Sequence, residues 1–217
     1  MSKNEYKLNT SNTHVSECSK SFFDLTKIDK SNYKPRVLLH SCCGPCSTAV
    51  IERLFGDYEI TVFYYNPCIT ETDEYEKRKF AQIKFIDEFN NKPDVQEKVR
   101  YIEGKYNPLS YLKMVEGLED EPEGGKRCTL CFEQRLGETA RMAKSLGFDF
   151  FTTTLTVSPH KNFSLISSIG KKFEKRYEIS FLDLDFKKKA GFQRSIQLSK
   201  EHKLYRQDYC GCRFSKR

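Results

Sequence analysis

The stretch from Arg36 to Cys46 reads RVLLHSCCGPC, and the fold of the chain is decided there. Arg36–His40 is a short apolar run of the kind that forms a buried strand. Ser41–Pro45 brings in Gly and Pro, which turn a chain, and Cys46–Phe55 then resumes at helical spacing. A strand passing directly into a helix is the first half of a βαβ unit. Three cysteines stand on the turn between them.

The same alternation runs through the rest of the chain. Glu59–Tyr65 (EITVFYY), β-branched and aromatic, predicts a strand that Asn66-Pro67 breaks. Thr72–Asn90 predicts a helix with Phe80, Ile83, Ile86 and Phe89 on one apolar stripe. Val99–Glu103 predicts a strand, Pro108–Gly117 a short helix, and Glu119–Gly125 an acidic, Gly-rich loop. Thr129–Leu146 predicts a helix with Phe132, Leu136, Ala143 and Leu146 inward and Gly147 as its C-terminal cap. Asp149–Leu155 and Ile179–Phe186 predict strands, with helices over Phe163–Arg176 and Gly191–Lys203. Strands alternating with helices of this length predict an α/β fold with a mainly parallel sheet. Ligands on such sheets bind beyond the carboxyl ends of the strands, where Cys42, Cys43 and Cys46 fall.

Residues 1–34 are polar, rich in Ser, Asn and Lys, and predict a disordered extension ahead of one domain over 35–217. No apolar run approaches the roughly 20 residues that span a bilayer, and the first residues lack the apolar core of a signal peptide. A cytoplasmic protein without a membrane partner is expected. An odd count of nine cysteines in a reducing compartment argues against a disulfide framework and for metal or redox chemistry. Buried free thiols would be scattered, whereas seven of the nine are grouped, leaving Cys18 and Cys68 alone. Charge is uneven as well. Residues 160–217 hold 15 Lys+Arg against 6 Asp+Glu, so the C-terminal quarter is basic although the whole chain carries only +7. That distribution suits a partner with phosphates, and equally a solvated surface.

Three constellations carry the chemistry. In His40-Ser41-Cys42-Cys43-Gly44-Pro45-Cys46, three thiols at a helix start can converge on one metal, and the helix dipole favours thiolates there. Cys43–Cys46 alone is also the CGPC of a thiol–disulfide exchanger. In Arg127-Cys128-Thr129-Leu130-Cys131, a three-residue step sets both sulfurs on one helical face. With Cys42 and Cys43 they complete four thiolates, the complement of a [4Fe–4S] cluster or of zinc, and spacing does not choose between them. In Tyr209-Cys210-Gly211-Cys212, the glycine lets both sulfurs turn one way. By counting, Cys46, Cys210 and Cys212 are left for a second centre or for thiol chemistry. His40 suits a ligand, a proton donor or a hydrogen-bonded structural histidine. Ser158-Pro159-His160-Lys161-Asn162 suits a phosphate contact or an ordinary turn. Lys187, Lys188 and Lys189, with Arg194, Lys200, Lys203, Arg206 and Arg213, are interleaved with Phe192, Tyr205, Tyr209 and Phe214. Such a surface can hold a backbone and stack splayed bases.

Five stretches taken together resemble the QueH-type epoxyqueuosine reductases: LLHSCCGPCS at 38–47, FYYNPCITETDEYEKR at 63–78, RCTLCFEQRL at 127–136, DFFTTTLTVSPHKN at 149–162 and LYRQDYCGC at 204–212. Two departures stand out: CCGPC where the family commonly shows CCAPC, and Cys68 where Asn is expected. The resemblance implies a Rossmann-like domain and a [4Fe–4S] cluster on Cys42, Cys43, Cys128 and Cys131, with no cobalamin. It implies reductive deoxygenation of epoxyqueuosine at the wobble position of tRNA, with electrons from a low-potential donor. Cys46, Cys210 and Cys212 would then hold a further mononuclear iron or act as thiols, with Asp208 and His40 as proton donors or supporting groups. Two rivals remain on residue types alone: a thiol–disulfide oxidoreductase on Cys43 and Cys46, and a zinc-stabilised RNA-binding protein.

Overall fold

A computed structural model of the chain describes residues 33–216, and the compact folded unit begins at Lys34. The predicted extension, with Cys18, lies almost wholly outside the described residues. Strand β1 (Arg36–Ser41) runs into helix α1 (Gly44–Leu54), as the opening stretch predicts. Then follow β2 (Glu59–Tyr64), α2 (Thr72–Asn90), β3 (Arg100–Glu103), α3 (Pro108–Met114) and α4 (Lys126–Ser145). The order closes with β4 (Phe150–Thr153), a 3-10 turn over Thr154–Val157, α5 (Phe163–Tyr177), β5 (Ser180–Phe181) and α6 (Gly191–Glu201).

The five strands form one sheet in the order β3-β2-β1-β4-β5, with every pairing parallel. Strand β1 is central and buried on both faces. Its alternate side chains enter opposite layers: Val37 and Leu39 join the core on the side of α1 and α2, Leu38 the core on the side of α4 and α5. Helix α1 packs against α2 and α6, and α4 against α5, so helices cover both faces. Strand order reverses between β1 and β4, and a crevice opens beyond their carboxyl ends.

Pro45 lies in the first turn of α1, where its missing N–H costs no hydrogen bond. Gly44 is needed for a different reason. A Cβ on Gly44 would stand 2.6 Å from the carbonyl oxygen of Ala81 in α2. The alanine common in the resembling family would press α1 against α2 here. Gly44→Ala is expected to lower stability by about 1–3 kcal/mol, the usual cost of overpacking, read as a lower urea midpoint at unchanged slope. An unchanged midpoint would show that α2 yields freely.

Three expectations are corrected. Phe80 is 70% exposed, and the buried stripe of α2 instead runs through Tyr75, Arg78, Gln82, Phe85, Ile86 and Phe89. Steps of three rotate a helix by about 300°, so residues chosen at that step walk off the face. In α4 the inward set holds Phe132, Leu136, Ala140 and Ala143, whereas Leu146 is exposed at the helix end. Gly147 does take the left-handed cap, at φ 68°. Finally, the strand predicted over Ile179–Phe186 pairs only through Ser180–Phe181. Beyond it the hydroxyls of Thr152 and Thr156 donate to the carbonyls of Leu182 and Leu184, at 2.9 and 3.0 Å, in place of a ladder.

Candidate metal centre and substrate cleft

The turn after β1 brings three sulfurs together. Cys42 follows the strand, Cys43 is the N-cap of α1, and Cys46 lies within its first turn. Their Sγ atoms lie within 4.8 Å of one another. Cys42 also meets β4's extension across the switch point, with Thr154 Oγ1 3.4 Å from its N–H and 3.7 Å from its sulfur. Hydrogen bonding with Cys43 and then with Cys46 holds the Cys42 thiol well below its ordinary range. The same bond with Cys42 pushes Cys43 up to about 12. The Nε2 of Gln207 donates to Cys43 Sγ at 3.0 Å. In a thiol exchanger the first cysteine of the CGPC pair would be exposed and ionised. Here Cys43 is fully buried, and its hydrogen bond with Cys42 pushes the thiol up rather than down.

A second set of thiols sits on α4 and on the loops facing it. Cys128 is half-buried, and its sulfur accepts from the Gly124 N–H at 3.2 Å. Arg127 shapes that loop, donating through Nη1 to the carbonyls of Leu118, Glu119 and Glu121 at 2.9, 2.8 and 2.6 Å. Cys131 is buried beside Cys68, and hydrogen bonding with Cys131 lowers Cys68 to about 6. Cys68, which the sequence leaves isolated, therefore stands inside the thiol core. Cys212 is buried in the same cluster, with the Tyr111 hydroxyl 3.1 Å from its sulfur.

The third group is held from α2. Arg78 is 2% exposed, bonds Glu74 through Nε at 2.6 Å, and donates to the carbonyls of Cys210 and Tyr209 at 3.0 Å each. Gly211 beside them has φ 102°, and a Cβ there would stand 2.9 Å from Arg78 Nη1. Glycine alone meets both conditions. Glu74 is held in turn by the Tyr205 hydroxyl at 2.7 Å.

These segments enclose a cleft of about 700 Å³ lined by Cys42, Cys46 and Cys210. Arg78, Lys161, Arg206 and Lys216 line it together with Glu123 and Asp208, and Phe192 and Tyr209 supply ring surface. A smaller adjoining cavity is lined by Cys128, Cys131 and Cys212, and Cys210, Arg135 and Lys161 border both spaces. Thus the four cysteines read as cluster ligands and the three left over come to one region, although they sort differently from the counting. Cys46 joins Cys42 and Cys43, while Cys212 faces the adjoining cavity. Cysteine sulfurs as the donor set suit iron–sulfur or zinc rather than a hard cation, with Glu123 and His160 also bordering both spaces.

The remaining candidates separate clearly. His40 is fully buried, with Nδ1 2.9 Å from Thr153 Oγ1 and Nε2 3.1 Å from the Tyr65 carbonyl. Burial, and then the nearby Arg135 charge, push it down to about 3, so the ring is neutral and fully engaged. It does not line the cleft. Ser158 accepts from the His160 N–H at 3.3 Å and shapes a turn on the cleft wall. Arg194 is paired with Glu52 at 2.9 Å, and Phe214 lies against the Arg127 guanidinium. Sequence reading missed Arg78, Gln207, Tyr111 and Arg135. Arg78, Gln207 and Tyr111 act through partners far away in the chain, and only the burial of a charged residue on an otherwise apolar helical face could have signalled the two arginines.

Fold and site together define a Rossmann-like α/β protein with a cysteine-lined crevice at its switch point, where three sulfurs stand close enough to ligate one metal ion. The epoxyqueuosine reductase QueH family matches residues 37–217. The chain is 44% identical over 184 residues to the epoxyqueuosine reductase QueH of Streptococcus pyogenes serotype M1, covering 85% of this chain and 71% of that protein. It is 41% identical over 193 residues to that of Staphylococcus epidermidis (88% and 80% covered). With that of Thermotoga maritima it shares 38% over 182 residues (82% and 89% covered). The chain belongs to the QueH epoxyqueuosine reductase family and is accordingly an oxidoreductase. Among the described residues no helix is long and apolar enough to cross a membrane.

Proposed function

We propose that the chain reduces epoxyqueuosine to queuosine at the wobble position of tRNA in the cytosol. In that reaction the epoxide oxygen leaves as water after taking up two electrons and two protons, and a carbon–carbon double bond remains. The observation that carries this reading is the convergence of three separate cysteine segments on a cleft large enough for a nucleoside and on the smaller cavity that adjoins it. A [4Fe–4S] cluster, when bound, supplies the electrons one at a time from a low-potential donor. Cys42, Cys43, Cys128 and Cys131 hold it. Cys46 and Cys210 face the cleft beside Cys42, where they meet the substrate or hold a further iron, and Cys212 supports them from the adjoining cavity. Asp208, exposed on the cleft wall, relays protons to the departing oxygen. Phe192 and Tyr209 offer faces for a splayed base, and Lys161, Arg206 and Lys216 hold its phosphates.

Anaerobic purification with an ultraviolet–visible spectrum and counts of iron, sulfide and zinc tests the cofactor. About four irons and four sulfides per chain with a broad band near ~400 nm is the expected result. Epoxyqueuosine-containing tRNA should then be converted under a strong reductant. Cys210→Ser is expected to keep most of the band and lose turnover, and an unaffected rate would remove Cys210 from the mechanism. A colourless protein that holds zinc and binds tRNA without conversion would establish the RNA-binding rival. Reduction of a model disulfide by a metal-free protein would establish the exchanger.

A further inference from the structure

Arg135 is a buried cation of the site that no ion pair balances. It lies on α4 one turn beyond Cys131 and is 2% exposed. Its Nε donates to the Cys131 carbonyl at 3.2 Å, an oxygen of its own helix. Its Nη2 has no partner, and no carboxylate pairs with it among the described residues. A guanidinium always carries its charge, and a buried charge without an opposite one is strongly unfavourable. Proteins keep such a group where an anion balances it.

The surroundings say which anion. Arg135 borders both the cleft and the adjoining cavity, which together carry Cys42, Cys46, Cys128, Cys131 and Cys210; Glu123 borders both as well but makes no ion pair with it. Burial works against its charge, and Cys131, Cys68, Cys210 and Cys42 favour it. At 2% exposure Arg135 offers little surface to a substrate phosphate in the cleft, whose wall also carries the exposed Arg206 and Lys216. Four thiolates around an iron–sulfur core leave a net negative charge that grows by one on reduction, and hydrogen bonds to the sulfurs help to set the potential.

Resting on the cluster reading above, we infer that Arg135 is the counter-charge of the cysteine-held centre, donating through Nη2 to one of its sulfurs and stabilising its reduced state. The centre is thereby easier to reduce than the same thiolates in a neutral cage. Lys161, which also borders both spaces, adds to the positive side.

The test is a potentiometric titration of the anaerobically purified protein, followed near ~400 nm, for the wild type, Arg135→Met and Arg135→Lys. Methionine keeps length without charge; lysine keeps the charge without the fork. Arg135→Met is expected to retain iron and to show at least a tenfold smaller reduced-to-oxidised ratio at a fixed potential, equivalent to about 59 mV for one electron. Arg135→Lys should fall between it and the wild type. A colourless Arg135→Met beside a brown Arg135→Lys also supports the inference, since charge alone then decides whether the centre is kept. Equal potentials in brown wild-type and Arg135→Met proteins overturn it while leaving the proposed function intact. So does loss of iron from both variants with folded circular dichroism, or weaker tRNA binding at unchanged potential, which would make Arg135 a substrate clamp. A wild-type protein without iron would remove the cluster reading and this inference together.

Discussion

A Cys128→Ser protein purified without oxygen is expected to lose its iron and its reductase activity together. Cys128 is the most accessible of the proposed cluster ligands, half-buried on the first turn of α4 and supported by the Gly124 N–H at 3.2 Å. Serine fits the same space and accepts the same hydrogen bond, so the fold should survive. The hydroxyl is a hard, poorly ionised donor, whereas iron–sulfur centres are held by thiolates. Removing even a supporting group at a metal site costs about 10–100-fold, so loss of a ligand should lower turnover by at least ~100-fold. Iron per chain and conversion of epoxyqueuosine in tRNA, read by mass spectrometry of the digested nucleosides, check it. Full iron with full activity would exclude Cys128 from the centre.

Arg78→Ala should be as damaging, through a different link. The guanidinium is buried, ion-paired with Glu74, and bonded to two carbonyls of the Tyr209–Cys210 segment. Deleting it strands Glu74 without its cation and frees the loop that carries Cys210 and Cys212. Breaking a buried pair in this way costs about 3–5 kcal/mol. Urea denaturation should show that loss, and turnover should fall with it, because Cys210 no longer has a fixed place on the cleft wall. Lysine is not expected to rescue, since one ammonium cannot span a carboxylate and two carbonyls. A stable, active Arg78→Ala protein would mean that the loop is held by its own backbone, chiefly the Thr70 N–H donating to the Gly211 carbonyl at 3.2 Å.

Much of the molecule was legible in the residues. Alternating apolar runs and amphipathic segments give the order of strands and helices because those patterns record local geometry, with a period near two for a strand and 3.6 for a helix. Thr72–Asn90 forms the helix its sequence predicts, end to end. Its buried face was misread, since a face is set by what lies against it. Phe80 is apolar and exposed, whereas Arg78 and Gln82 are polar and buried. The strand over Ile179–Phe186 was overlong for a similar reason. Its β-forming residues do not show that threonine hydroxyls would replace the ladder after two residues.

The sequence by itself determined the parallel α/β class, the turn after β1 as the working end, and the three cysteine segments with their local spacings. Each is a property of neighbours along the chain. Only the tertiary structure decided how the segments meet: that Cys46 stands with Cys42 and Cys43, that Cys68 stands beside Cys131, and that Cys212 answers to Tyr111. It also decided which charges are structural, because Arg78 meets its carbonyls across 131 and 132 residues of sequence. Contacts at that separation leave no periodicity to read. They depend on the packing of whole elements, which brings a buried cation and a set of thiols to one region.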